Sequence, residues 1–248
     1  MSKIALVTGA TSGIGLATAR TLIKNDYKVI ICGRRKGLLD KFFSEYAAKV
    51  YPLVFDVRDR QKVEELIDCL PKDWKGVDVL VNNAGNAHGL APVESGSVDD
   101  WDAMIDINVK GLLYVSKAII PGMTQRKSGH IINIGSIAGK EVYPNGNVYC
   151  ASKHAVDAIN NGMRLDLNQY GIKVSAINPG LVETEFSKVR FKGDEEKAAT
   201  VYKGFTPLKA QDIADIILFT ISLPDHVNIS DMIVLPTAQA SATMVKKG

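Results

Sequence analysis

Residues 4–15 read IALVTGATSGIG, and this stretch decides how the chain folds. Its first four residues are a short apolar run that is typical of a buried strand. The apolar residues that follow recur at helical spacing: Leu16, Ala19, Leu22 and Ile23. Three glycines, Gly9, Gly13 and Gly15, lie between the two patterns. The stretch therefore predicts a strand, a glycine turn and a helix in direct succession.

Short apolar runs and amphipathic segments alternate along the rest of the chain. We expect further strands at residues 28–32, 51–57, 77–81, 131–134, 172–177 and 229–235. Helices are expected at residues 38–48, 59–70, 97–124, 149–169 and 211–222, and the third has a weak point at Gly111. This alternation predicts an α/β fold in a single domain, residues 1–248. We expect a Rossmann-type, doubly wound parallel sheet of about seven strands with helices on both faces.

Composition excludes several classes of function. The chain has 248 residues, of which 46% are hydrophobic and 23% charged, and its net charge is +3. These values suit an ordinary globular protein and imply neither a nucleic acid nor a membrane as partner. Three cysteines and four histidines show no disulfide framework and no metal-ligand spacing, so no metal site is expected. Cysteines too few and too far apart for a disulfide framework predict a reduced, cytoplasmic compartment. The start of the chain shows no secretory signal pattern, and no apolar run approaches the roughly 20 residues of a membrane span.

Tyr149 and Lys153 lie four residues apart in a segment with helical periodicity. This spacing stacks their side chains on one helix face, where an ammonium can lie beside a phenol. A nearby, partly desolvated lysine lowers the pKa of a tyrosine from its usual value of about 10. A phenol tuned in this way can exchange a proton with an alcohol or a carbonyl oxygen. An amphipathic helix with a half-buried tyrosine and a surface lysine would show the same spacing.

The glycine turn indicates a site for a phosphate-bearing ligand. Glycines let the backbone approach a pyrophosphate, and the N-terminus of the following helix offers free N–H groups and a positive dipole end. The spacing GxxxGxG differs from GxGxxG, the commonest dinucleotide fingerprint. Arg34 and Arg35 stand at the end of the second expected strand, where an acidic residue would favour NAD. The arginines favour NADP, and two solvated loop arginines are the alternative interpretation.

Residues 179–208 interrupt the alternation. They show no clean periodicity and carry many charges, including Glu183, Glu185 and Arg190. So long an interruption after a strand is more often a functional lid than filler. It would lie at the carboxyl ends of the strands, where open α/β sheets bind ligands. We therefore predict a substrate lid at about residues 180–208.

Three spaced motifs give the chain a resemblance to the classical short-chain dehydrogenase/reductases over nearly its whole length. Residues 8–15 resemble the TGxxxGxG turn of that family, residues 82–85 its NNAG motif and residues 149–153 its YxxxK motif. The catalytic residues that the resemblance implies are Asn108, Ser136, Tyr149 and Lys153. Tyr149 would exchange the proton and Ser136 would hold the substrate oxygen. Lys153 would lower the tyrosine pKa, bind the nicotinamide ribose and connect through water toward Asn108.

The resemblance also implies an NADP site and an assembly. With the glycine turn and the arginines, the implied cofactor-binding residues are Gly9, Thr11, Ser12, Gly13, Ile14, Gly15, Arg34, Arg35, Asp56, Val57, Asn82, Ala84, Gly85, Tyr149, Lys153, Pro179, Gly180, Val182 and Thr184. Asp56 and Val57 would lie at the adenine, although a turn carboxylate at a strand end accounts equally well for Asp56. Thr11 or Ser12 would reach the 2′-phosphate or hydrogen-bond within the turn. Members of the family usually form homotetramers, so a homotetramer is expected.

A closer likeness, to the NADP-dependent 3-hydroxy acid dehydrogenases of this family, is carried by residues 131–136, 146–149 and 185–194. It implies oxidation of serine, L-allo-threonine and 3-hydroxypropionate, and reduction of malonic semialdehyde. The implied substrate-binding residues are Ser136, Asn147, Tyr149 and Arg190. Arg190 would hold the substrate carboxylate as a bidentate fork, with Lys192 as a second candidate cation. The alternative is that Arg190 pairs with an acid of its own segment: Glu183, Glu185 or Asp194.

Two other functions fit parts of the same pattern. A related NADPH-dependent reductase of other carbonyls, such as 3-oxoacyl thioesters or diketones, would share the catalytic residues without needing a cation for a carboxylate. A non-catalytic protein that senses NADP would keep the fold. Such sensors commonly lack the tyrosine or the lysine, and this chain has both Tyr149 and Lys153.

Overall fold

The computed structural model of the protein describes residues 2–248 and contains a sheet of seven parallel strands. In this sheet the strands are β1 (Ile4–Thr8), β2 (Lys28–Gly33), β3 (Val50–Val54), β4 (Val77–Asn82), β5 (Gly129–Ile134), β6 (Ile172–Pro179) and β9 (Asp231–Val234). Their order is β3-β2-β1-β4-β5-β6-β9. The predicted Rossmann-type sheet is confirmed.

Helices cover both faces of the sheet. They are α1 (Gly13–Lys24), α2 (Lys36–Tyr46), α3 (Arg60–Asp68), α4 (Val98–Ile105), α5 (Leu112–Arg126), α6 (Asn147–Leu167), α7 (Phe186–Arg190), α8 (Glu195–Thr200) and α9 (Ala210–Ser222). α3, α5 and α6 pack with Leu6 in one core, whereas α1, α2 and α9 pack with Val7 in the other. Adjacent strand residues point to opposite faces, so a strand buried on both faces is a continuous apolar run. None of the helices within residues 2–248 is long and apolar enough to cross a membrane.

The chain changes direction at β1, which lies between β2 and β4 in the sheet. The chain runs outward from β1 to β3 and then returns to the other side of β1 as β4. The loops that follow β1 and β4 therefore leave in opposite directions at the carboxyl edge of the sheet. A crevice at such a switch point is where open α/β sheets bind ligands.

The helix predicted at residues 97–124 is divided into three parts. α4 ends at Ile105, Asp106–Gly111 forms a π-helical segment, and α5 begins at Leu112. A Cβ on Gly111, the predicted weak point, would lie 2.6 Å from Val57 Cγ2, so glycine lets the helix approach the loop after β3. π-Helical turns are frequent at functional sites, and this one carries Asn108.

The irregular stretch after β6 contains four short elements. They are β7 (Val182–Glu183), α7, α8 and β8 (Leu208–Lys209), and β7 and β8 pair as a separate two-stranded parallel sheet. Elements of two to six residues are too short to show a helical or strand period. This is why the sequence pattern of the segment predicts no regular structure.

Three buried asparagines join the sheet to α6. Asn82 Nδ2 donates to Asn133 Oδ1 at 2.9 Å, and Asn133 Nδ2 donates to Asn160 Oδ1 at 3.0 Å. Asn133 and Asn160 are fully buried. A buried polar group that loses its partner costs about 1–3 kcal/mol. The row of amides therefore fixes β4, β5 and α6 relative to one another.

Replacing Asn133 with alanine should lower the free energy of unfolding by about 2–4 kcal/mol, because Asn160 Oδ1 loses its donor and Asn82 loses an acceptor. Denaturant titration measures the change. Asn168→Ala, at an exposed position just after α6, is the control, and its effect should stay within about 0.5 kcal/mol. Equal effects of the two substitutions would contradict the assigned role of the row.

Candidate active site

A cleft of about 600 Å³ opens at the carboxyl edge of the main sheet. Most of the site residues predicted from the sequence line it: Gly9, Thr11, Ser12, Gly13, Ile14, Arg34, Arg35, Asp56, Val57, Ala84, Gly85, Ser136, Tyr149, Lys153, Pro179, Gly180, Val182, Thr184 and Arg190. Four predicted residues do not line it: Gly15, Asn82, Asn108 and Asn147. The cleft thus brings the glycine turn, the arginines and the catalytic candidates into one site.

The glycine turn after β1 is held against the loop after β4. Gly9 and Gly13 have φ angles of +66° and +53°, in the left-handed region that favours glycine. A Cβ on Gly9 would lie 2.9 Å from Asn83 Nδ2. Thr8 Oγ1 accepts hydrogen bonds from the main-chain N–H groups of Asn83 and Ala84 at 3.0 and 2.9 Å. Asn83 Nδ2 donates to Thr8 O at 2.9 Å, so strand end and loop are tied from both sides.

Arg35 forms hydrogen bonds with the polar side chains of the turn. Its guanidinium donates to Thr11 Oγ1 at 2.8 Å and to Ser12 Oγ at 2.6 Å, and it pairs with Glu185 Oε2 at 3.1 Å. Thr11 and Ser12 therefore face Arg35 rather than bonding within the turn. Ser12 is the N-cap residue of α1, yet its side chain makes no capping hydrogen bond. Two hydroxyls, a guanidinium and an uncapped helix N-terminus together suit a phosphate.

Asp56 contacts two more arginines, Arg34 and Arg58, at this end of the cleft. Arg58 Nη2 donates to Asp56 Oδ2 at 2.7 Å, and Arg34 Nη1 lies 3.6 Å from the same oxygen. Burial raises the pKa of Asp56, but hydrogen bonds from Arg58 and the charge of Arg34 hold it below its usual value. These contacts suit a turn carboxylate at a strand end. The role of Asp56 at an adenine stays a prediction.

Tyr149 and Lys153 lie near the start of α6, and both are buried. Burial raises the pKa of the Tyr149 phenol to about 12 and lowers the pKa of the Lys153 ammonium to about 8. Lys153 Nζ donates to Ile134 O, at the end of β5, at 2.9 Å. The sequence predicts that Lys153 lowers the tyrosine pKa. In this geometry burial raises that pKa, and the cation that opposes burial is Arg190.

Ser136 follows β5 and faces the tyrosine. Its proximity to Tyr149 opposes the effect of burial on the pKa of the phenol. The main-chain N–H of Ser136 donates to Asn178 Oδ1 at 3.2 Å. A Cβ on Gly135 would collide with that oxygen, so glycine makes room for the amide that fixes Ser136.

Asn108 lies behind the cleft wall, in the π-helical segment. Its Oδ1 accepts from Asn86 N at 2.8 Å, and its Nδ2 donates to Asn86 O at 2.9 Å and to Ser152 Oγ at 3.0 Å. The side chain therefore joins the loop after β4 to α6. The water link from Lys153 to Asn108 stays a prediction.

Arg190 ends α7 and points toward Tyr149. Its guanidinium carbon lies 5.0 Å from the centroid of the Tyr149 ring, 5.7 Å from that of Tyr143 and 5.9 Å from that of Phe186. Its Nη2 donates to Tyr143 OH at 2.5 Å, whereas its Nε is buried without a hydrogen-bond partner. Among residues 2–248 no ion pair involves Arg190. A cation surrounded by aromatic rings thus stands without an acid at the catalytic end of the cleft.

The acids that the sequence offers as partners of Arg190 are engaged elsewhere. Each pairs with another cation at 2.6 to 3.3 Å: Glu183 with Lys209, Glu185 with Arg35, and Asp194 with Lys197. Lys192, the second candidate cation, pairs with Asp100 at 3.0 Å. Within the described part of the chain, the alternative pairing of Arg190 does not occur.

The predicted residues outside the cleft wall have other contacts. A Cβ on Gly15 would collide with Gly9 O and with the side chain of Asn83, so this glycine permits close packing beneath the turn. The amide of Asn82 belongs to the buried row described above. Asn147 Nδ2 donates to Ala91 O at 3.0 Å, beside a small neighbouring pocket that Tyr149 also lines. Gly15 and Asn82 support the site from behind, and Asn147 faces away from the main cleft.

Several residues that line the cleft are not among the site residues that the sequence predicts: Asn83, Tyr143, Phe186 and Gln239. Asn83 had a usable signal, because it lies inside the NNAG motif. Tyr143 and Phe186 belong to a loop and to a five-residue helix, where no spacing marks a functional position. Gln239 lies after the last strand of the sheet, in a stretch without a motif.

Comparison with known proteins places the chain in a family. The family profile described as short chain dehydrogenase matches residues 3–195. The chain is 47% identical over 240 residues to the NADP-dependent 3-hydroxy acid dehydrogenase YdfG of Salmonella typhi, which is 96% of this chain and 97% of that protein. It is 42% identical over 243 residues to sulfoacetaldehyde reductase 2 of Chromohalobacter salexigens, which is 97% of this chain and 96% of that protein.

A solved structure, the closed form of serine dehydrogenase complexed with NADP+, matches the fold with a TM-score of 0.95. The match covers 99% of each chain at 43% sequence identity. The similarity therefore extends over the sheet, the helices and the irregular stretch after β6. The resemblance predicted from the sequence motifs is confirmed: this chain belongs to the short-chain dehydrogenase family.

Proposed function

We propose that the protein is an NADP-dependent oxidoreductase that acts on the C3 hydroxyl or carbonyl of small 3-hydroxy acids, such as serine, L-allo-threonine and 3-hydroxypropionate. One observation carries the choice of substrate. The Arg190 guanidinium, which has no acidic partner among residues 2–248, lies 5.0 Å from the Tyr149 ring. Relatives named NADP-dependent 3-hydroxy acid dehydrogenase and serine dehydrogenase support the same class of reaction.

The residues of the cleft fit NADP. At one end, Arg35 with Thr11 and Ser12 supplies the donors that a 2′-phosphate needs. The Gly9 turn lets backbone approach the pyrophosphate at the N-terminus of α1, and a Cβ there would meet the loop after β4. At the other end lies the buried Tyr149. When bound, NADP supplies the hydride exchange, and the protein supplies position and charge.

Tyr149 would transfer the proton to or from the substrate oxygen. Its phenol would donate to the carbonyl oxygen in reduction, and its phenolate would accept from the alcohol in oxidation. Ser136, which lies beside Tyr149, would hold the same oxygen. Lys153, at 2.9 Å from Ile134 O, would have its remaining donors available for the nicotinamide ribose. Asn108 would keep the loop after β4 at its place beside Lys153.

Arg190 would hold the substrate carboxylate, which lies two carbons from the reacting centre. Its Nη2 is engaged by Tyr143, whereas its Nε has no partner. A carboxylate would therefore satisfy a buried donor and neutralise a partly desolvated cation in one contact. A sulfonate has the same charge, and the relative named sulfoacetaldehyde reductase 2 makes such a substrate the second candidate.

Residues 180–208 would act as a lid over this site. Phe186, Val189 and Arg190 of α7 line the cleft. The stretch contacts the rest of the protein at several places: Glu185 pairs with Arg35, Lys192 pairs with Asp100, and Gly89 N donates to Arg190 O at 2.9 Å. The single-domain organisation, the homotetramer and the cytoplasmic location also stay predictions.

The first test compares Arg190→Met with the wild-type enzyme. Initial rates at pH 9 with NADP are measured for L-serine, L-allo-threonine, 3-hydroxypropionate, 3-hydroxybutyrate, isethionate and a neutral secondary alcohol. Wild type should prefer the anions. The variant should lose about 30-fold or more of kcat/KM for them, since a charge-assisted pair contributes about 2–5 kcal/mol. The loss on the neutral alcohol should be much smaller, because there only the effect of the Arg190 charge on the pKa of Tyr149 is removed.

Lys188→Met is the matched control, because Lys188 lies on the same helix, is exposed and pairs with Glu195. It should behave like wild type. If the wild-type enzyme uses only the neutral alcohol, the result would support the alternative function, an NADPH-dependent reductase of other carbonyls. An equal loss on all substrates would contradict a carboxylate site at Arg190.

The pH dependence should follow the raised pKa of Tyr149. With a pKa of about 12, the phenolate is scarce at neutral pH, so oxidation should accelerate with pH, by about tenfold per unit at most, up to pH 10. Reduction needs the phenol and should stay nearly constant from pH 6 to 9. Initial rates in both directions measure the two profiles. An oxidation rate that reaches its plateau near pH 7 would show that the raised pKa does not govern the reaction.

Cofactor choice should depend on Arg35. Arg35→Ala should raise the KM for NADP by about 10–100-fold, because a charged hydrogen-bonding partner of the 2′-phosphate is lost, and should leave the KM for NAD nearly unchanged. Steady-state kinetics with both cofactors measure the ratio. Arg60→Ala, an exposed arginine paired with Glu64 outside the cleft, is the control. If the KM values for NADP and NAD rise by the same factor, the result would argue against a contact between Arg35 and the 2′-phosphate.

A further inference from the structure

The stretch after β9 folds back as a hairpin beside the cleft. Gln239 and Val245 pair in an antiparallel bridge, Ala240 N donates to Met244 O at 2.9 Å, and Lys246 N donates to Ala238 O at 2.8 Å. The sequence showed no motif in residues 236–248. The conformation of this segment therefore depends on its tertiary contacts and not on a local sequence pattern.

The hairpin is attached to the rest of the protein by its turn and by the end of its second arm. Ala242 N donates to Glu141 Oε2 at 2.7 Å, in the loop between β5 and α6. Gly248 N donates to Gly204 O at 2.8 Å, in the stretch after α8. These contacts hold the hairpin in one place against the cleft, whose wall includes Gln239 and Ala242.

Gln239 reaches from this hairpin to the turn after β6. Its side chain is 5% exposed, its Oε1 accepts from Leu181 N at 2.9 Å, and its Nε2 donates to Ser241 O at 3.1 Å. Gly180 N donates to Val234 O at 2.8 Å, from the opposite side. The turn is thus clamped between β9 and the Gln239 amide.

The clamp leaves no free volume at the turn. A Cβ on Gly180 would collide with Gln239 Oε1 and would lie 2.7 Å from Leu235 Cδ2. Pro179, Gly180 and Leu181 all line the cleft, and Asn178, just before them, accepts from the main-chain N–H of Ser136 at 3.2 Å. An amide that fixes Leu181 N therefore fixes a wall of the reacting end.

We infer that Gln239 is a positioning residue, which holds the turn at residues 179–181 in the place where the nicotinamide ring of NADP must lie for hydride transfer. The inference rests on the proposed use of NADP. The hairpin would thus influence hydride transfer by positioning the turn, although it does not contact the reacting atoms. The phosphate and adenosine end of the cleft should be independent of Gln239, since its donors come from α1 and the loops after β1 and β2.

Gln239→Met tests this inference, because methionine keeps the volume and removes both hydrogen bonds. NADP binding is compared with binding of 2′-phospho-ADP-ribose, which lacks the nicotinamide. The variant should bind NADP about tenfold more weakly and the fragment within about twofold of wild type, as expected for one lost hydrogen bond. With NADPH deuterated at the transferred position, the isotope effect on kcat should rise, because hydride transfer becomes slower relative to the other steps.

Ser241→Ala is the matched control. It removes the hydroxyl that accepts from Thr243 N and Met244 N in the hairpin, and it leaves the contact of Gln239 with Leu181 intact. This variant should keep the wild-type ratio of NADP to fragment affinity and the wild-type isotope effect. Gln239→Asn, whose shorter side chain withdraws the amide from Leu181, carries the same test should the methionine variant unfold.

Two results would overturn the inference while leaving the proposed function in place. One is unchanged NADP affinity and isotope effect in the Gln239 variants. The other is equal weakening of NADP and the fragment, which would show a general structural role. A wild-type protein that binds neither ligand would overturn the proposed function and this inference together.

Discussion

The site depends on the contact between the ends of β1 and β4. These neighbouring strands end at the same edge of the sheet, and Thr8, Asn83 and Ala84 join the two following loops with hydrogen bonds of 2.9 to 3.0 Å. Because the loops approach so closely, the position next to Thr8 must be a glycine, and Gly9 takes a left-handed conformation there. The cofactor side and the catalytic side of the cleft are both built outward from this junction.

The catalytic end of the cleft disfavours charge. Burial shifts the pKa values of Tyr149 and Lys153 in opposite directions, and both shifts favour the neutral form. The Arg190 guanidinium lies in the same surroundings, where aromatic faces and the Tyr143 hydroxyl stabilise it only in part. An anion interacts more strongly with such a partly desolvated cation than with an exposed one. The buried phenol and the partly desolvated cation thus lie side by side, as the proposed reaction on anionic substrates requires.

Residues at the edge of the fold fix the residues that face the cleft. Ser136 is held by Asn178, Asn178 donates to Asp231 on the outermost strand, and Lys140 pairs with Asp231 at 2.8 Å. The turn after β6 is held in the same manner by the hairpin that follows that strand. Because each of these links is a directed hydrogen bond or ion pair, small displacements at the edge would reach the reacting end.

By itself the sequence determined the parallel sheet, the order of strands and helices, the glycine turn, and the Tyr149 and Lys153 spacing, because apolar periods and motif spacing are local properties of the chain. Tertiary structure alone decided that Arg190 has aromatic neighbours in place of an acid, since its candidate partners fold toward other cations. It also decided that the pKa of Tyr149 rises, because burial depends on every element packed around the phenol. The contact of Gln239 with Leu181 joins segments that no periodic pattern relates, so only the folded chain brings them together.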